Sequence, residues 1–64
     1  MEWIKTENQI PKDNEQVLCL YYGYQYKLLV WNNTYNCWDD EEGDDYFCDR
    51  DRVEYWMRLP ENPV

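Results

Sequence analysis

The sequence predicts a mainly β fold: a small antiparallel sheet of three to four strands in meander order. N- and C-terminal Trp/Pro segments would close it, with little or no helix. Three observations carry this expectation. Four Trp, seven Tyr and one Phe stand among 64 residues, and such side chains favour strands. Ala, the best helix former, is absent. Runs of alternating side chains are separated by Gly, Asn and Pro, which mark turns. A chain of this length is one domain, residues 1–64, and buries only about 60 % of the surface its unfolded form exposes. Large rings offset that shortage, each burying roughly 150–250 Å².

The elements follow in order. Residues 1–16 read as an irregular leader. Trp3-Ile4 opens it, and Thr6-Glu7-Asn8-Gln9 suits one short turn with Thr6 as N-cap and Gln9 as its partner. Pro11 ends any helix there, and Asp13-Asn14 reads as a turn. Val17–Tyr22 is the first strand, apolar on both faces and so central to the sheet. Gly23 permits a tight turn into the second strand, Tyr24–Asn32, which forms a hairpin with the first. Asn32-Asn33-Thr34 is the next turn, and Tyr35–Trp38 a short third strand. Asp39–Asp45 is a loop of six acids around Gly43. The fourth strand lies within Tyr46–Leu59 and is best defined from Arg52. Leu59-Pro60 ends it, because Pro cannot donate to a ladder. Trp3 and Trp56 are expected to close the core. A small open barrel of the same strands is the alternative architecture.

The net charge is −8. That balance argues against direct contact with nucleic-acid backbone or anionic membrane, which needs Lys and Arg. The charge is concentrated. Asp39, Asp40, Glu41, Glu42, Asp44, Asp45, Asp49, Asp51 and Glu54 fall within sixteen residues, offset only by Arg50 and Arg52. Asp49 and Asp51, as alternate residues of one strand, would extend the loop into an anionic ridge with a spacing of about 6.8 Å.

Three uses for this ridge compete. It can be a solvated loop that keeps an aromatic-rich chain soluble. It can meet a basic protein surface, as nucleic acid does. Or it can bind a divalent cation, although setting Gly43 at the sixth position of an EF-hand loop leaves Trp38 at the first.

His and Ser are both absent, so no Ser-His-Asp set exists. With only Gly23 and Gly43, no glycine-rich phosphate loop exists either. The expectation is a protein that is not an enzyme and holds no cofactor or metal. Cys19, Cys37 and Cys48 lack a CxxC zinc spacing. They read as free, mostly buried thiols of a reducing compartment, the cytoplasm. A Cys37–Cys48 bridge is the alternative if the two lie on neighbouring strands. The Met1-Glu2-Trp3 start shows no signal peptide.

The arrangement Trp3-Ile4, Ile10-Pro11, Glu15-x-Val17-Leu18, Trp31, Trp38 and Tyr55-Trp56-Met57-x-Leu59-Pro60-x-x-Pro63 resembles a known family. It is similar to the small bacteriophage and prophage proteins grouped as domain of unknown function 551. The closing motif is the most specific part of a resemblance that covers nearly the whole chain. Two departures stand out: Tyr55 occupies a position that is often His in the family, and Asp39–Asp45 is unusually acidic. The resemblance implies a phage or prophage accessory protein in a bacterial host cell, with no established activity and no catalytic residues to carry over.

The functional expectation is therefore a small module that binds a basic host or phage protein. The residues that would carry it are Asp39, Asp40, Glu41, Glu42, Asp44, Asp45, Asp49 and Asp51 of the ridge, with Tyr24, Tyr26 and Trp31 of an aromatic sheet face. In its sharper form the ridge mimics nucleic acid toward a defence or transcription protein. The alternative is a self-associating assembly protein, a homo-oligomer with no host target.

Overall fold

The computed structural model describes residues 2–60 and contains six strands. They are β1 (Ile4–Lys5), β2 (Gln16–Tyr21), β3 (Gln25–Asn32), β4 (Cys37–Asp39), β5 (Tyr46–Asp49) and β6 (Val53–Arg58). A one-turn 3₁₀ helix, Arg50–Arg52, joins β5 to β6. All pairings are antiparallel, in the order β1-β6-β2-β3-β4-β5. Strands β2 to β5 form the expected meander. β6 then returns to the far side of β2 and takes β1 as its outer neighbour.

The sheet has more strands than the three to four expected, and one interruption accounts for much of the difference. Tyr46–Leu59 reads as a single strand in the sequence, but the chain leaves β5 at Arg50 and re-enters the sheet at Val53. Arg50-Asp51-Arg52 carries no apolar side chain to hold it against the core. Asp51 thus sits on the 3₁₀ turn, and the strand-like spacing of Asp49 and Asp51 is corrected.

Register assigns the faces. Val17 lies opposite Leu29, Cys19 opposite Trp56, Trp31 opposite Trp38, and Trp38 opposite Cys48. These residues, with Val53, form the buried core on one side of the sheet. Trp31 and Trp38 meet edge to face at 4.9 Å and 69°, a favoured geometry for aromatic pairs. Each buried indole N–H finds an acceptor: Asn33 Oδ1 for Trp31, the Arg50 carbonyl for Trp38 and the Gln9 carbonyl for Trp56. The sheet curls around this core, bringing Tyr21 of β2 to within 5.0 Å of Phe47 on β5.

The leader covers the core through Ile10, Pro11 and the Gln9–Trp56 hydrogen bond. Trp3 does something different from the expectation. It lies on the opposite face, 40 % exposed, with its ring 5.9 Å from that of Tyr26. The closing segment is described as far as Pro60, and its remainder, from Glu61, lies outside the described residues.

The turns show why some boundaries moved. Tyr22 and Gly23 both have positive φ, 56° and 80°, the sign pattern of a type I′ hairpin turn. Asn36, at φ 55°, takes the left-handed position in the next turn. Asn32 Oδ1 accepts the Tyr35 amide and holds that turn closed. The third strand therefore starts at Cys37 instead of Tyr35. The Thr6 turn is closed by the Lys5 carbonyl, which accepts from the Asn8 and Gln9 amides. Thr6 is not its N-cap. The Thr6 amide continues the pairing with β6 by donating to the Glu54 carbonyl.

The three cysteines are free and buried. Cys37 and Cys48 do lie on neighbouring strands, but Cys37 faces Asp49 across the pair and Cys48 faces Trp38. That one-residue offset sends the thiols to opposite sides of the hairpin. Among the described residues no helix is long and apolar enough to cross a membrane.

Candidate functional site: an acidic outer face

The face opposite the core begins at β3. Val30 lies opposite Asp39, and Asp39 opposite Tyr46, so these three share the outer side of the β3-β4-β5 segment. Tyr26 and Leu28, two and four residues back along β3 from Val30, share that side by alternation. Asp39–Asp45 leaves β4 on this face and folds back over it.

Local hydrogen bonds shape this loop. The Asp40 amide donates to the Asp45 carbonyl at 2.8 Å, and the Gly43 amide to the Asp40 carbonyl at 2.9 Å. The Asp40 carboxylate turns inward and accepts the amides of Glu42 and Asp44, both at 3.2 Å. Gln16 Nε2 reaches from β2 to the Glu41 carbonyl at 2.9 Å. Gly43, at φ 78°, lies over Val30, whose methyl carbons are 3.8 Å from the place a Cβ would take. A side chain there would fit only as a contact with Val30 and would carry the strain of that φ.

The sequence-predicted acids therefore differ in their surroundings. Glu41, Glu42, Asp44 and Asp45 project into solvent. Asp40 is committed to its own loop. Asp39 is only 8 % exposed and is held by Asn32 Nδ2 at 3.1 Å, with the Cys37 thiol donating at 3.8 Å. Asp49 is exposed and accepts the Tyr46 hydroxyl at 2.5 Å. That bond, which favours the neutral phenol, pushes the Tyr46 pKa up to about 12. The described ion pairs are Lys5–Glu7 at 3.6 Å and Arg58–Glu15 at 3.0 Å. Neither involves an acid of residues 39–54.

Tyr24 and Tyr26 are 72 % and 68 % exposed, and Tyr26 leans on Trp3. The Tyr26–Trp3 pair and the acidic loop occupy the same sheet face, about 13 Å apart along β3. Trp31 is a correction. It alternates onto the core side, is fully buried against Trp38 and presents no surface to a partner.

Beyond the loop the outer face opens into a cleft of about 1010 Å³. Asp39, Asp44, Asp49 and Asp51 line it together with Glu7 and Glu54, while Lys5 and Arg50 are its cations. Sequence reasoning misses Glu7, because only the β1–β6 pairing brings it there. Thr6 lines the same wall, 4 % exposed, and its hydroxyl has no hydrogen-bond partner among the described residues.

The thiols are poor nucleophiles. Burial pushes Cys48 up to about 11 and raises Cys19 further; burial and then the Asp39 carboxylate raise Cys37. Among the described residues, no group of three or more Cys, Asp or Glu side chains is arranged to hold a metal ion.

The family model described as "Protein of unknown function (DUF551)" matches residues 2–64 of this chain. Neither the curated proteins nor the solved structures contain a match to it.

Proposed function

We propose that this chain, which belongs to the DUF551 family of proteins of unknown function, is a non-enzymatic interaction module for a basic protein surface. One observation carries the reading. The carboxylates of Glu41, Glu42, Asp44 and Asp45 stand exposed on a loop fixed by its own backbone, by Asp40 and by Gln16. A loop kept only for solubility needs charge but no such fixation. A preorganised array loses less conformational entropy when it binds. Trp3 and Tyr26, exposed on the same sheet face about 13 Å from the loop, and Tyr24 in the hairpin turn add the amphipathic aromatic area typical of interface hot spots. The absence of His and Ser and the raised thiol pKa values support a role without catalysis.

The proposed setting is the cytoplasm of a bacterial host during phage or prophage expression, a reading that the resemblance of the closing motif supports. Basic surfaces that normally hold nucleic acid are the natural targets of such an array, because the array presents charge as a phosphate backbone does.

The test is affinity capture from bacterial lysate, with and without nuclease. Wild type is compared with Glu41→Gln/Glu42→Gln/Asp44→Asn/Asp45→Asn. A protein retained by wild type, insensitive to nuclease and lost with the variant, is the expected result. Identical capture by both returns the loop to a solubilising role.

The exposed Trp3–Tyr26 contact favours a second reading, self-association through the aromatic patch. A net charge of −8 opposes it by repulsion between copies. Sedimentation that stays monomeric with rising concentration and salt removes it.

A further inference from the structure

The cleft differs from the acidic loop in ways that bear on what it takes. Its lining comes from both edge strands of the sheet, Lys5 of β1 and Tyr46 and Asp49 of β5. β5 pairs only with β4, so its other side carries backbone N–H and C=O groups that no described strand satisfies. An open edge of this kind is a template for an added strand. Charge decides which strand. Six carboxylates, of Glu7, Asp39, Asp44, Asp49, Asp51 and Glu54, face two cations. Both cations are already engaged: Lys5 pairs with Glu7, and Arg50 donates to the Thr6 carbonyl at 3.4 Å.

We propose that the cleft binds a basic extended peptide segment, which adds to the free edge of β5 and pairs its Lys or Arg side chains with the cleft carboxylates. This inference rests on the reading of the acidic face as a binding surface and names the partner element and its seat. The segment's main chain meets the β5 edge. Its cationic side chains meet Asp49 and Asp51 at one end and Asp44 at the other.

The experiment is fluorescence anisotropy with a labelled peptide of alternating Arg and Val at physiological salt. Asp49→Asn/Asp51→Asn and Glu41→Gln/Glu42→Gln each remove two charges, so nonspecific attraction falls equally in both. Both pairs are expected to weaken binding, the cleft pair tenfold or more and at least threefold beyond the loop pair. A peptide with alternate backbone N-methyl groups and unchanged side chains is expected to lose binding. Equal weakening by the two pairs overturns the cleft but leaves the acidic face as the binding surface. Binding indifferent to both pairs overturns cleft and acidic face alike. Full binding of the N-methylated peptide, or no binding of the parent peptide to wild type, overturns the added strand.

Discussion

Single side chains carry most of the chemistry on the outer face, and Tyr46 makes the sharpest case. Its hydroxyl donates to Asp49, and its pKa rises to about 12 from a usual value near 10. The folded-state value is the higher one. The hydrogen bond's contribution to stability is therefore complete below about pH 10 and is lost as pH rises through about 12. Ultraviolet titration of the phenols should show one tyrosine ionising near 12 that disappears in Tyr46→Phe. Asp49→Asn should return it toward 10; an unshifted Tyr46 in wild type contradicts the contact. Trp31 shows the limit of sequence reading at this scale. A tryptophan at the end of a Tyr-rich strand reads equally as anchor or core. Alternation from Leu29 and pairing with Trp38 decide for the core, and that pairing is visible only once register is known. Thr6 gave a capping signal and instead turned into a buried wall, because its amide continued the β1–β6 pairing.

At the scale of elements, the hairpin of β2 and β3 was legible because alternation and Gly23 agree. The 3₁₀ break was not: Asp49-Arg50-Asp51-Arg52 alternates as a strand does, and only the absence of apolar residues hints that nothing holds it in the sheet. The acidic loop was legible as a loop, but its fixation was not, since it depends on Gln16 from β2 and Val30 from β3. That fixation has a direct consequence. Asp40→Ala removes one acceptor from two amides, those of Glu42 and Asp44. The expected outcome is a loss of about 1 kcal/mol in stability, with faster amide exchange confined to residues 40–45 and weaker partner binding although only one charge has gone. Unchanged exchange across the loop contradicts the idea that Asp40 holds it.

For the whole molecule, a curled six-stranded sheet buries its tryptophan core on one face and carries the acidic loop over Val30 on the other. Three buried tryptophans on one side allow a short chain to hold a sheet this wide. The other side carries the acidic loop, and most of the chain's charge lies in that one window of the sequence. The acids could be identified from the sequence alone. The cleft could not, because it joins Glu7, beside one edge strand, to Asp49 of the other. The acidic outer face is proposed as a preorganised surface for basic protein. The most direct measurement is an amide chemical-shift map of the ¹⁵N-labelled protein during titration with the Arg-Val peptide. Saturable shifts centred on the Lys5–Glu7 turn and residues 39–51 are expected. Shifts centred on Trp3, Tyr24 and Tyr26, or none at saturating peptide, would contradict it.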